Sequence, residues 1–300
     1  MRSTLDQNAR PVIFGEVLFD HYPDGSNVLA GAALGVAWHL QGFGLRPLLV
    51  TRIGQDSEGE LALTKMHQWG LDTRTVQIDH QHPTGSVMVS QANGENQFEI
   101  KPDQAWDYIS STLVMDWIRN LPCSLIYAGS LAQRNAVSRK TLQRLMLETQ
   151  LPVFMDINLR EPWLEPDIIQ QCLNSAHWLK LSDTELQYLV KKSGSVKEAA
   201  TQLKSTYDIK NIFVTCAERG SAFLSSSTYI KQDIENNITL VDSVGAGDAY
   251  TAVCILGYHK GWDEAQIVKN ANQFAGLVCQ KQGAIALTQQ DYSDTLKAWS

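Results

Sequence analysis

Short apolar runs and stretches of helical spacing take turns along most of this chain, and no other feature narrows its possible folds as much. The strand-like runs are Pro11–Phe19, Arg46–Ile53, Ser124–Tyr127, Pro152–Asp156, Trp178–Leu181 and Asn211–Thr215. The helix-like stretches are Leu34–Gln41, Glu58–Gly70, Arg139–Thr149, Asp167–Ser175, Asp183–Lys191, Val196–Ser205, Asp248–Gly257 and Glu264–Cys279. A parallel strand pair needs a crossover, and a helix is the usual one, so this alternation predicts a mostly parallel sheet with helices on both faces: a three-layer α/β/α domain. No linker, repeat or low-complexity tract divides the 300 residues, so residues 1–300 read as one domain. One stretch departs from the rhythm. In Thr84–Ile100, Val87, Val89, Phe98 and Ile100 alternate around Asn93-Gly94, which predicts a hairpin. With Val17–Leu29 it predicts a small β-lid on the main domain, built from about residues 15–30 and 84–104.

Lys and Arg number 25 against 32 Asp and Glu, a net charge of −7, which argues against a nucleic-acid partner. The five cysteines are odd in number and widely spaced, with no C-x-x-C pair, so neither a disulfide framework nor a zinc site is expected and a reducing compartment fits. Gly15, Glu16 and Asp20 interrupt the first apolar run, so it is not a signal-peptide core. No apolar run is long enough to span a bilayer, and the expectation is a cytoplasmic protein for which the sequon at Asn237-Ile238-Thr239 is chance.

The chemistry concentrates in Asp242-Ser243-Val244-Gly245-Ala246-Gly247-Asp248-Ala249-Tyr250, between the apolar piece Ile238–Val241 and a helix. Three small residues in a row let backbone approach a ligand closely, and their N–H groups lie at a helix N-terminus, where an anion is favoured. An acid at Asp248 stands beside that pocket and is placed to accept a hydroxyl proton during phosphoryl transfer, with the helix N-terminus expected to keep it ionised. The bland reading is a tight turn followed by an ordinary first-turn acid. No G-x-x-x-x-G-K-[ST] string is present, and the run lacks the last glycine of a dinucleotide fingerprint and lies far from the first βα unit.

DSVGAGDAY resembles the D-T-x-G-A-G-D-[AST]-F signature of the ribokinase-like (PfkB) carbohydrate kinases, and bacterial fructokinases match best. The resemblance covers almost the whole chain in order. GEVLFD (Gly15–Asp20), AGAALGVAWHL (Ala30–Leu40), IGQDSEGE (Ile53–Glu60), HPTGSVMV, MDINLREPW (Met155–Trp163), VTCAERGS (Val214–Ser221) and ANQFAGLVCQKQGA (Ala271–Ala284) each resemble a family segment. It implies an ATP-dependent kinase with Mg²⁺, phosphorylating a sugar hydroxyl. Asp248 is then the base, and Gly245, Ala246 and Gly247 form the anion hole. Asp20, Gly31, Ala32 and Gly35 meet the sugar. Thr215, Glu218, Gly220 and Asn272 line the nucleotide site. Glu185 organises Mg²⁺ through water, and Asp242 stands where related enzymes bind potassium. Lid pairing in this fold implies a homodimer.

Two departures bear on the substrate and the metal. The family's sugar-binding Asn falls at Gly35, and the Asn of its N-x-x-E motif falls at Ser182, with Asp183 beside it. A fructokinase-like ketose kinase, a same-fold kinase for a keto-sugar acid or a nucleoside, and a weakly catalytic sugar- or nucleotide-binding protein therefore all stay open. An acid substrate would need Arg160 or Lys101 as its cation. Phe98 on a lid strand is weighed evenly between covering the sugar and plain packing. His80 and His82 read as loop histidines rather than metal ligands, and His39 as a helix–sheet packing residue.

Overall fold

The computed structural model describes residues 8–92, 95–163, 165–191, 194–234 and 239–299. Its strands are β1 (Arg10–Phe14), β2 (Leu18–His21), β3 (Asn27–Ala30), β4 (Leu48–Gly54), β5 (Val76–Asp79), β6 (Gly85–Ala92), β7 (Glu95–Ile100), β8 (Cys123–Gly129), β9 (Val153–Asp156), β10 (Trp178–Ser182), β11 (Asn211–Thr215), β12 (Ser221–Leu224) and β13 (Tyr229–Gln232). The helices are α1 (Ala32–Gly42), α2 (Ser57–Trp69), α3 (Ser111–Ile118), α4 (Ala136–Thr149), α5 (Pro166–Ser175), α6 (Asp183–Val190), α7 (Val196–Tyr207), α8 (Ala246–Lys260), α9 (Glu264–Val278) and α10 (Gln289–Ala298). None of these helices is long and apolar enough to cross a membrane.

The main sheet has nine strands in the order β13-β12-β11-β10-β9-β8-β1-β4-β5. The pairings from β5 across to β11 are parallel, and β12 and β13 add an antiparallel edge. Two apolar clusters lie on opposite faces. One joins Ile13, Leu49, Tyr127, Phe154 and Phe213 to α1, α8 and α9; the other joins Val12, Val50, Ile126, Met155 and Val214 to α4, α5 and α7. Alternate residues of the same strands feed both, so each strand is buried on both sides, as a parallel sheet requires. This is the three-layer α/β/α architecture expected from the alternation.

From β1 the chain winds outward to β4 and β5, then returns to β8 and winds the other way. The carboxyl ends of β1 and β8 thus flank the switch in direction, where open α/β sheets bind their ligands. The first apolar run does not continue as one strand. It breaks after Phe14 at Gly15 (φ +153°), where a Cβ would stand 2.8 Å from that of Ala33, and the chain leaves the main sheet to enter β2. There β3-β2-β6-β7 form a second sheet. The β6–β7 hairpin pairs Val87 with Ile100 and Val89 with Phe98; its turn residues, Asn93 and Gly94, lie outside the described residues. Leu18, Ala30, Val87, Ile100, Trp106 and Leu131 join the inner face of this sheet to the main domain. Below it Arg134 forks onto Asp107 (2.8 and 2.7 Å) between the rings of Trp106 and Trp163.

His39 is buried, but it packs among helices rather than against the sheet: its Nδ1 lies 2.8 Å from the Tyr292 hydroxyl and its ring meets Phe274 edge-on. His82 stacks on Tyr108 and bonds Asp79, and His80 bonds Gln55, so each loop histidine has a local partner.

Candidate active site

The N-termini of α1 and α8 meet over the carboxyl ends of β1, β8, β9 and β10. Gly245 caps α8 in the left-handed region (φ +82°), a conformation that suits glycine, and no side chain caps the helix. A Cβ there would come within 2.6 Å of the Ala284 Cα, so the loop and the 281–284 segment can approach only through glycine. Asp242 ties the two together: its Oδ1 accepts from the Val244 amide and its Oδ2 from the Gly283 amide, both at 3.0 Å. The Ala246 amide turns back to the Ser243 carbonyl (3.3 Å), whereas the helix provides no internal partner for the amides of Gly247 and Asp248. The preceding residues Leu240 and Val241 are exposed and form no strand, and Ile238 lies outside the described residues.

Asp248, in that first turn, is half-buried. Gly35 of α1 lies directly against it, since a Cβ on Gly35 would stand 2.7 Å from Oδ2 of Asp248. Two further carboxylates, Glu16 and Asp156, act on it, and a third, Asp20, lies on the second sheet. Glu16, in the loop after β1, is buried and accepts the Ala32 amide on Oε1 at 3.0 Å, so that amide is already engaged. Asp156, at the end of β9, is fully buried and pairs with Lys180 of β10, whose Nζ lies 3.2 and 3.0 Å from its two oxygens. Asp20 lies on β2, opposite Val87 and Val28 and therefore on the face of the second sheet that carries Val89 and Phe98. Phe98 ends that face with 44% of its surface exposed, apart from the carboxylate cluster.

Burial sets the electrostatics of this group. It pushes Asp248 up to about 8, helped by the Asp156 and Glu16 charges and opposed by Lys180 and Arg160. The helix N-terminus therefore does not keep Asp248 ionised at neutral pH, contrary to the sequence expectation: desolvation and two like charges outweigh the dipole. Burial likewise raises Asp20 to about 6, where the neighbouring Asp242 charge adds and His21 opposes. Glu16 is raised by burial against the amides it accepts, and Asp156 is raised by burial against Lys180. Arg160 is exposed at the mouth, near enough for its charge to act on Glu16, Asp156 and Asp248.

On the other flank Glu185 accepts the Leu159 amide (2.7 Å) on Oε1 and the Ser182 amide (2.7 Å) and hydroxyl (3.0 Å) on Oε2. Ser182 thus takes the family Asn position as the cap of α6, and Asp183 is occupied by an ion pair with Arg219. Among the described residues no group of three or more His, Cys, Asp or Glu could cage a metal ion. The half-buried Glu185 suits Mg²⁺ of the kind that keeps most of its ligands as water and phosphate oxygens. Thr215 ends β11 beside Ser182 of β10. Gly220 (φ +84°) packs on the carbonyl of Gln232, and Asn272 donates to that same carbonyl at 3.1 Å, so these two residues meet at the end of β13. Glu218 is exposed and borders a groove of about 460 Å³ with Arg219, Ser221 and Lys231.

Sequence reasoning gave no role to Glu16, Asp156 or Lys180. Lys180 was the one to notice, because a charge in the centre of the apolar run Trp178–Leu181 has to be buried and paired.

The family model for pfkB carbohydrate kinases matches residues 7–291. A Pyrococcus horikoshii protein described as a sugar kinase is 26% identical over 286 residues, which cover 91% of this chain and 86% of that one. The structure of a fructokinase with bound ATP from Xylella fastidiosa superposes with a TM-score of 0.85 at 19% identity, covering 97% of this chain and 99% of that one. A Vibrio cholerae fructokinase structure containing fructose, ADP and calcium superposes with a TM-score of 0.80 at 22% identity, covering 97% and 100%. The chain belongs to the pfkB family of carbohydrate kinases and is an ATP-dependent sugar kinase.

Proposed function

We propose that Asp248 is the general base for transfer of the γ-phosphoryl group of ATP to a sugar hydroxyl, and that the Gly245-Ala246-Gly247 amides receive the charge on that group. The observation that carries this is an uncapped helix N-terminus with a half-buried carboxylate in its first turn, at the switch point of the sheet. In the transfer the sugar oxygen bonds to the γ-phosphorus, the bond to the bridging oxygen breaks with its electrons leaving on ADP, and the hydroxyl proton passes to Asp248. Glu185 would hold Mg²⁺ through water, and the ion would supply further positive charge beside the nucleotide phosphates. Thr215, Glu218, Gly220 and Asn272 border the nucleotide. Potassium at Asp242 is part of the same reading: each of its oxygens accepts one amide and keeps a lone pair for a cation.

The sugar lies between Asp20 of the lid and Asp248, over Gly31, Ala32 and Gly35, with Phe98 closing from above. Carboxylates predominate around that space, which favours a neutral polyol such as a ketose, and the Vibrio cholerae fructokinase structure contains fructose. Arg160 at the mouth supports a second reading, a keto-sugar acid whose carboxylate it would pair with. Pairing of two lids would make a cytoplasmic homodimer, which sedimentation would detect. The deciding experiment is Asp248→Asn, assayed by ADP release with MgATP over fructose, other hexoses, keto-sugar acids and nucleosides. The expected result is a loss of roughly 10²–10⁴-fold in kcat on the preferred sugar with ATP binding retained. Wild-type turnover in this variant refutes the base assignment, and a strong wild-type response to a keto-sugar acid replaces the ketose.

A further inference from the structure

Lys180 is an unusual residue for its position. It lies in register beside Asp156 on the neighbouring parallel strand, and both side chains rise toward α8. Thr251, on the second turn of α8, reaches the same carboxylate at 3.4 Å. The ammonium continues past Asp156 to the first turn of the helix: a Cβ on Gly247 would stand 2.9 Å from Lys180 Nζ, the nearest atom from outside α8. Lys180 is 7% exposed and Asp156 is 0%. Burial acts to discharge the lysine, but the Asp156, Glu185 and Asp248 charges outweigh it and hold the ammonium protonated.

A cation beneath a helix N-terminus faces the positive end of the dipole. A buried ion pair, moreover, is no more stabilising on average than an apolar pair of the same size. Packing therefore gives no reason for the arrangement, whereas phosphoryl transfer does. We propose that Lys180 is a positioning residue for that transfer, its buried ammonium keeping positive charge beneath the Gly247 amide where the transferred phosphoryl group arrives. Asp156 holds the ammonium in place and Gly247 admits it, because any side chain at 247 would occupy its space. Being walled off from water, the charge acts at low dielectric and needs no reorganisation during the reaction. The proposal rests on the reading of the α8 N-terminus as the phosphoryl site.

The test replaces the pair by two neutral ones in the full chain, so that no lone charge is left buried: Lys180→Gln with Asp156→Asn, and Lys180→Met with Asp156→Leu. Steady-state kinetics are measured with MgATP and the preferred sugar on the alkaline plateau of activity, where protonation of Asp248 does not enter. The expected result is a melting temperature near that of the wild type, KM for ATP and sugar within a few-fold, and kcat lower by roughly ten- to a hundredfold, below the loss for deleting a donor in direct contact. Lys180→Arg, which keeps the charge, is expected to retain more turnover than either neutral pair. A neutral pair that folds and turns over at the wild-type rate overturns the proposal. Should neither fold, Lys180→Arg decides: kcat within about tenfold of wild type supports the role of the charge, and a larger loss with KM unchanged overturns it. Failure of the underlying reading shows separately, as Asp248→Asn retaining wild-type turnover.

Discussion

Gly35→Ala separates the stability of this protein from its activity. Gly35 lies inside α1, where exchanging glycine for alanine ordinarily gains about 1 kcal/mol of helix propensity. Here the new Cβ stands 2.7 Å from Oδ2 of Asp248, 3.1 Å from its Cβ and 3.2 Å from its Cγ, where ordinary contact begins at 3.4 Å. The gap to Oδ2 must open by roughly 0.7 Å, which the Asp248 side chain can supply by turning, and the gap to its Cβ by roughly 0.3 Å, which a slight shift of α1 against α8 must supply. That turn costs about 0.5–1.5 kcal/mol, enough to cancel the propensity gain and leave the fold within about 1 kcal/mol of the wild type. Activity follows the position of the base instead, and a misplacement of about 1 Å can cost on the order of a hundredfold. The expected outcome is a melting temperature within a few degrees of the wild type and kcat lower by roughly ten- to a hundredfold, read from ADP release at saturating sugar and ATP. Wild-type kcat with wild-type stability refutes the contact between α1 and the base. A large loss of stability refutes the argument that Asp248 is the part that yields.

Two further outcomes follow from the buried charges. Because the folded state raises Asp248 from 3.8 to about 8, it binds a proton that the unfolded chain has lost, so stability falls as pH rises through that window, by at most about 1.4 kcal/mol per unit. Asp248→Asn removes this loss, so its advantage in melting temperature over the wild type should widen from pH 5 to pH 8 and then level off; an advantage independent of pH contradicts the assignment. Arg134→Met strands the buried Asp107 carboxylate and is expected to cost about 3–5 kcal/mol by denaturant unfolding, and Asp107→Asn in the same chain should recover part of it. A cost below about 1 kcal/mol shows that the fork contributes little.

What the sequence disclosed follows from how far each signal reaches along the chain. The main-sheet strands β1, β4, β8, β9, β10 and β11 are buried on both faces, so most of them stand out as unbroken apolar runs. β5 escapes notice because its four residues alternate in burial and include Gln77 and Asp79. α10 escapes because Tyr292 is its only fully buried residue among the ten, too few to set a helical period. β12 and β13 form an antiparallel edge on an otherwise parallel sheet and break the strand–helix rhythm that identified the rest.

The candidate site divides in the same way. Its phosphate side was legible because one nine-residue segment carries the glycines, the helix start and the acid together. Its electrostatics were not, because they arise between elements: Glu16 from the loop after β1, Asp156 from β9, Lys180 from β10 and Asp248 from α8 become neighbours only when the sheet has formed. A helix N-terminus read alone implies an ionised aspartate, and the same aspartate among two buried carboxylates and one ammonium holds its proton to about 8. The glycine at position 35 shows the same limit. As a sequence departure it removes a sugar contact, but as a packing fact it makes the space in which the Asp248 carboxylate lies. A substrate preference argued from the missing Asn alone thus leaves out half of what Gly35 does: restoring a larger side chain there would add a polar contact for the sugar only by displacing the group proposed to accept its proton.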